Sequence, residues 1–130
     1  MIKLPVIVVD KKGVDIGIYK EIKDVEQHLE AIHVKNDEYI AYDAEGRLLK
    51  LETDGRYIKV LATEEDPMHA AELEASLREY LIAVKDPLAK ELTCDLPCLV
   101  NLATKYASVY SSLREIVNNL WHKLIKKTSI

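Results

Sequence analysis

The chain has 130 residues, of which 48% are hydrophobic and 31% charged, and its formal net charge is −4. That length fits one domain able to bury a core without metal or disulfide support, and the composition excludes a disordered chain. Residues 1–80 hold 11 Lys and Arg against 18 Asp and Glu, while residues 81–130 hold 7 against 4, an acidic front half that argues against nucleic acid and suits a basic partner.

The opening "MIKLPVIVVDKKG" carries an apolar run too short for a signal-peptide core. No stretch approaches the ~18 apolar residues of a membrane span. A cytoplasmic protein with no membrane partner is the expectation. Residues 4–9 and 14–19 read as two strands joined across "DKKG". Val14, Ile16 and Ile18 alternate with Asp15, Gly17 and Tyr19, as in a half-buried strand. From Asp24 the apolar spacing becomes helical through Val25, His28, Leu29 and Ile32, predicting one short helix over 24–33 with Asp24 as N-cap.

Three further strands follow. Tyr39, Ala41 and Asp43 alternate with Ile40 and Tyr42. "AEG" supplies a turn with Gly46 left-handed, and "RLLKLET" sets Leu49 and Leu51 opposite Lys50 and Glu52. Asp54-Gly55 is the strongest hairpin signal in the chain, and Ile58, Val60 and Ala62 follow on one face. The spacing predicts an antiparallel meander with one wet face, its carboxylates crowded at the turns and at the exit, "TEED".

Asp66-Pro67 reads as a helix start, with Asp66 the N-cap. Ala70, Leu73, Leu77, Tyr80, Leu81 and Val84 form its apolar stripe, and Glu74 stands four residues before Arg78. Asp86-Pro87 breaks that helix. A second start at "CDLPCLV" opens a helical pattern running to Lys127, with Leu99, Leu102, Tyr106, Tyr110, Leu113, Val117, Leu120 and Leu124 in one stripe. Some thirty helical residues would reach roughly 45 Å, so a break near Ser111-Ser112 or a projecting helix is expected.

Chemistry-bearing motifs are sparse. Cys94 and Cys98 follow C-x3-C rather than the redox or zinc spacing. They read as two buried, reduced thiols, with a disulfide as the alternative. His28 and His33 lie five apart, off a common helical face. His69 stands beside Glu64, Glu65 and Asp66, which could hold a divalent ion but are equally explained by capping and by the helix dipole. A nucleophile elbow, a phosphate-binding loop and a dinucleotide fingerprint are all missing from the sequence. A protein without catalysis, cofactor or metal is expected.

The segments "DVEQHLEAIHVKNDEYIAYDAEGRLLKLE" (24–52) and "PMHAAELEASLREYL" (67–81) resemble small bacterial immunity proteins of polymorphic and contact-dependent toxin systems. The shared signature is a helix ending in "LEAI", a strand ending in "YDAEGRLL" and a helix starting near "HAAEL", over roughly residues 20–82. The resemblance implies a non-enzymatic protein that blocks one cognate toxin domain by tight binding, and it transfers no individual contact residue. For such a partner, Tyr39, Tyr42 and Tyr57 would be anchors. Glu45, Glu52, Asp54, Glu64 and Glu65 would draw in a basic toxin.

The expectation is therefore a single α+β domain over 1–130, with sheet and helices in 1–85 and a helical extension over 86–130 packed on them. Its sheet would be antiparallel with four or five strands. The alternative to the toxin-binding reading is a homo-oligomeric structural or adaptor protein that associates, as a homodimer, through its C-terminal helices.

Overall fold

The computed structural model describes residues 1–111, and in it the early apolar run becomes the middle of a sheet. Strand β1 (Val6–Asp10) forms a hairpin with β2 (Ile16–Tyr19), pairing Val6 with Tyr19 and Val9 with Ile16. Its other edge takes β3 (Tyr39–Tyr42), and β4 (Leu48–Thr53) and β5 (Ile58–Ala62) continue outward, every pair antiparallel. β6 (Ser108–Tyr110) then lies parallel to β2, from Gly17↔Ser108 to Tyr19↔Tyr110. The order is β5-β4-β3-β1-β2-β6, a mixed six-stranded sheet with more strands than expected.

Two cores result, one on each face. On the first, Ile7, Ile18 and Tyr42 pack under Leu73, Leu77, Leu81 and Leu99 of helices α3 (Ala70–Ala83) and α4 (Leu96–Tyr106). On the second, Val6, Val8, Tyr19, Ala41 and Leu49 meet Val25 and Leu29. Consecutive residues of a strand point to opposite faces, so "VIVV" must be apolar throughout because β1 is covered on both. The wet face expected for the whole meander survives only outward of β3, where Lys50, Glu52 and Lys59 are exposed.

The helix expected over 24–33 is two. α1 (Ile22–His28) ends at Leu29, whose backbone is extended, and α2 (Ala31–Lys35) restarts after Glu30. The break leaves Leu29 buried in the second core while Ile32 stays 61% exposed. The N-cap is Glu21 rather than Asp24. Asp24 lies three residues into the motif, and its carboxylate accepts the Glu21 N–H at 3.0 Å.

Helix α3 buries the expected Leu73, Leu77, Tyr80 and Leu81, but its N-cap is His69, three residues beyond Asp66. The preceding turn is docked elsewhere: the His69 N–H donates to the Gly46 carbonyl at 3.0 Å. Arg78 pairs with Glu74 at 3.0 Å as the spacing implied, and its guanidinium also donates to the carbonyls of Ala89, Glu91 and Cys94. One side chain thus holds the connection between α3 and α4.

Helix α4 starts at Asp95, whose side chain accepts the Cys98 N–H at 3.1 Å, with Pro97 in its first turn. Cys94 and Cys98 flank that cap with Cα atoms 5.2 Å apart and are joined as a disulfide, which overturns the reduced pair. The helical reading fails again at Ala107, where the chain turns extended into β6. Val109 joins the first core and Tyr110 the second, so a strand alternation was hidden inside an apparent helical stripe. Leu113, Val117, Leu120 and Leu124, and with them the dimer alternative, lie outside the described residues. No described helix is long and apolar enough to cross a membrane.

Candidate functional site

The eight residues singled out from the meander do not form one patch. Strand β4 separates them, with Glu45, Glu64 and Glu65 at its start and Asp54 and Tyr57 beyond its end. Five residue steps at about 3.4 Å put some 17 Å between those ends.

The first end is built around Asp43, a residue the sequence reading passed over. This carboxylate is fully buried. It accepts the N–H groups of Lys3 (3.0 Å), Glu45 (3.0 Å) and Arg47 (2.9 Å) and the Arg47 guanidinium at 3.2 Å. Burial pushes the carboxyl up, but those four donors outweigh it and hold it below the usual carboxylate range. Arg47 reaches on to the Glu45 carboxylate and the Glu65 carbonyl, both at 2.6 Å. Gly46 has φ +97°, and a Cβ there would lie 2.3 Å from the Ala70 Cα. The turn therefore sits directly against the start of α3, and only glycine fits.

Glu64 is structural. Past Ala62 the β5 ladder ends, yet the Glu64 carboxylate accepts the Leu48 N–H at 2.8 Å, and the Thr63 hydroxyl donates to the Leu48 carbonyl at 2.7 Å. Two side chains thus extend the pairing that the backbone abandons. The Leu48 N–H, and next the His69 ring at 2.7 Å, hold the Glu64 carboxyl low. Among the described residues no three His, Cys, Asp or Glu converge as a metal site; His69 has Glu64 alone as its acidic partner.

Tyr42 is likewise a core residue. It is 2% exposed, its hydroxyl donates to Glu72 at 3.3 Å, and burial pushes that hydroxyl up to about 12. Tyr39 is half-buried against the His33 ring, edge to face at 6.1 Å.

The second end differs. Asp54 accepts the N–H groups of Tyr57 (2.8 Å) and Arg56 (2.9 Å), which hold its carboxyl low, while Thr53 donates to the Tyr57 carbonyl at 2.7 Å. Those bonds fix the hairpin, with Gly55 at φ +97°. Tyr57 projects from it, 66% exposed, with the Arg56 guanidinium 5.4 Å from its ring centre. Glu52 is exposed beside it and pairs with Lys50 at 3.1 Å. A rigid turn carrying a large amphipathic ring suits contact with another protein, because little entropy remains to be lost on binding.

No family model, curated protein or solved structure matches this chain. The structure defines its class, an α+β protein with helices on both faces of a mixed sheet.

Proposed function

We propose that this is an immunity protein, acting without catalysis, that neutralises a cognate bacterial toxin domain by binding it directly. The observation that carries the reading is Tyr57, two-thirds exposed on a hairpin locked by Asp54 and Thr53. Interface anchors are enriched in aromatic residues that are rigid before binding. The resemblance over residues 20–82 supplies the class of partner, and the exposed Glu45, Glu52 and Glu65 suit a basic one. We assign its action to the cytoplasm, where an incoming toxin would be met and where the Cys94–Cys98 bond would face a reducing thiol pool.

The test is co-expression with the toxin domain encoded beside it, together with a measured Kd. Protection and binding are expected. Tyr57→Ala should weaken binding by about 30-fold, the scale of a 2 kcal/mol anchor, at unchanged melting temperature. A folded protein that neither binds nor protects would reject the reading.

A further inference from the structure

The Cys94–Cys98 bond is a cross-link on which the surrounding fold does not depend. It joins residues four apart in the chain, and so short a loop removes little freedom from the unfolded state. The start of α4 is secured without it. Asp95 accepts the Cys98 N–H at 3.1 Å, and Pro97 stands in the first turn. The Cys94 N–H donates to the Glu91 carbonyl at 3.1 Å, and the Cys94 carbonyl accepts the Arg78 guanidinium at 2.8 Å.

Those restraints also keep the two residues together once the bond is open. Their Cα atoms, 5.2 Å apart, lie within the span that a disulfide bridges, so neither opening nor closure calls for a new backbone. They are the only two cysteines of the chain, and no third thiol can divert closure to another partner.

The two sulfurs differ in access. Cys94 is 4% exposed and belongs to the first core, whereas Cys98 is half-buried. Cys98 also lies in the first turn of the eleven-residue α4, whose positive end favours a thiolate. The Asp95 carboxylate opposes that charge from the same turn, but it is exposed and water screens it. An incoming thiol therefore meets Cys98 first.

We propose that the Cys94–Cys98 pair is a reversible redox switch, opened by a dithiol and closed by a small disulfide, that sets how firmly the turn before α4 is held. The switch does not depend on the immunity reading. In opening, a thiolate of the dithiol attacks the Cys98 Sγ, the S–S bond breaks and Cys94 leaves as a thiolate. The second thiol of the reductant then loses its proton and attacks its own sulfur in the mixed disulfide, releasing Cys98. The protein gains two electrons, its thiolates take up the two protons that the dithiol gave up, and the dithiol becomes a disulfide. In closing, the Cys98 thiolate attacks the small disulfide and expels one thiolate. Cys94 then loses its proton, attacks the Cys98 Sγ and expels the second.

The turn so governed carries Leu92, an apolar side chain 91% exposed. With the bond closed, Cys94 is tied to α4 covalently and to α3 through Arg78. With it open, hydrogen bonds alone remain.

The full chain at pH 7 is equilibrated in mixtures of reduced and oxidised glutathione, quenched with an alkylating mass tag and measured by mass spectrometry. Complete, reversible interconversion of folded protein is expected, whereas structural disulfides resist reduction by that couple. In the reduced form the Cys94 and Cys98 amides should exchange at least about tenfold faster, with the β1–β2 hairpin unchanged. Cys94→Ser should form a mixed disulfide with glutathione at least about tenfold faster than Cys98→Ser. Iodoacetamide labelling of the reduced wild type, located by mass spectrometry, repeats that comparison without a substitution, and Cys98 should label first. A bond that persists in reduced glutathione, opens only on global unfolding, or does not re-form in oxidised glutathione would overturn the proposal. Unchanged exchange at Cys94 and Cys98, or faster labelling of Cys94, would overturn it equally.

Discussion

Asp43→Asn probes the side chain on which the β3–β4 turn depends. One carboxylate oxygen accepts the N–H groups of Glu45 and Arg47, and the other accepts the Lys3 N–H and the Arg47 guanidinium. An amide can keep the first pair, but its NH2 then faces two donors in a buried position. Hydrogen bonds to a charged group are worth about 1.5–3 kcal/mol, and an unsatisfied buried group costs about 1–3 kcal/mol. Because the lost interactions share one site and do not simply add, the expected loss is about 3–5 kcal/mol. That is a large part of the ~5–15 kcal/mol that holds a domain folded. Urea unfolding at pH 7 measures it as a lower midpoint at unchanged slope.

The pH dependence has a definite sign. The folded Asp43 carboxyl lies below its ordinary value. Its contribution is therefore complete above the unfolded value of about 3.9 and is lost as pH falls through the lower folded value. The gap between wild type and Asp43→Asn should stay flat from pH 7 to about 5 and close only in acid below ~4. A loss under about 1 kcal/mol at pH 7 would show that the four donors are satisfied without the charge.

Gly46→Ala combines a positive φ, about 1–2 kcal/mol for a residue with a Cβ, with overpacking on Ala70 of about 1–3 kcal/mol. A destabilisation of about 2–5 kcal/mol in urea is expected, and a smaller one would mean that the turn can lift off α3. Tyr106→Phe removes the bond to Asp86 and should speed amide exchange across residues 86–95, leaving the β1–β2 hairpin unchanged. Alkylation of the folded, unreduced protein should label neither Cys94 nor Cys98, and a dithiol reductant should expose both. Replacing Glu45, Glu52 and Glu65 together by Gln should slow association with a basic toxin at low salt. The difference should shrink as the screening length falls from about 10 Å at 0.1 M to about 3 Å at 1 M. Equal association rates at low salt would remove these carboxylates from recognition.

Local chemistry was legible where it decides the backbone. Asp54-Gly55 and Gly46 forecast two turns, and the stripe from Leu73 to Leu81 forecast the buried side of α3. What escaped depends on contacts distant in sequence. Ser108-Val109-Tyr110 fits a helical stripe until β2, about ninety residues earlier, offers a parallel edge, and short windows carry no trace of that pairing. Val25, His28, Leu29 and Ile32 fit one helix equally well until Leu29 must be buried. Among the site residues, the alternation around Tyr42 told which face it takes, but not that both faces of β3 are covered. Asp43 did carry a signal: Asp before a tight turn commonly binds the backbone two residues on. The part played by Glu64 is invisible without knowing where the β5 ladder stops.

The carboxylates crowding residues 43–66 thus divide by task, and this changes what a partner would meet. Asp43, Asp54 and Glu64 accept backbone N–H groups and are spent on the fold. Glu45 and Glu52 are each shared with a cation two residues away, at 2.6 and 3.1 Å. On the open face Lys50 precedes Glu52 by two residues on β4, and Lys59 of β5 lies directly opposite Glu52. A standard interface covers about 800 Å² on each partner, a patch roughly 28 Å across. One contact could therefore span both ends of the strand, some 17 Å apart at about 3.4 Å per residue. A uniformly basic surface laid over that span would meet Lys50 near its centre and Lys59 beside Glu52. If the partner is the proposed toxin, its basic groups would face Glu65 at the first end, and neutral or acidic groups would face Lys50 and Lys59 around Glu52. Tyr57, beyond the second end, would then supply the apolar anchor that paired surface charges cannot.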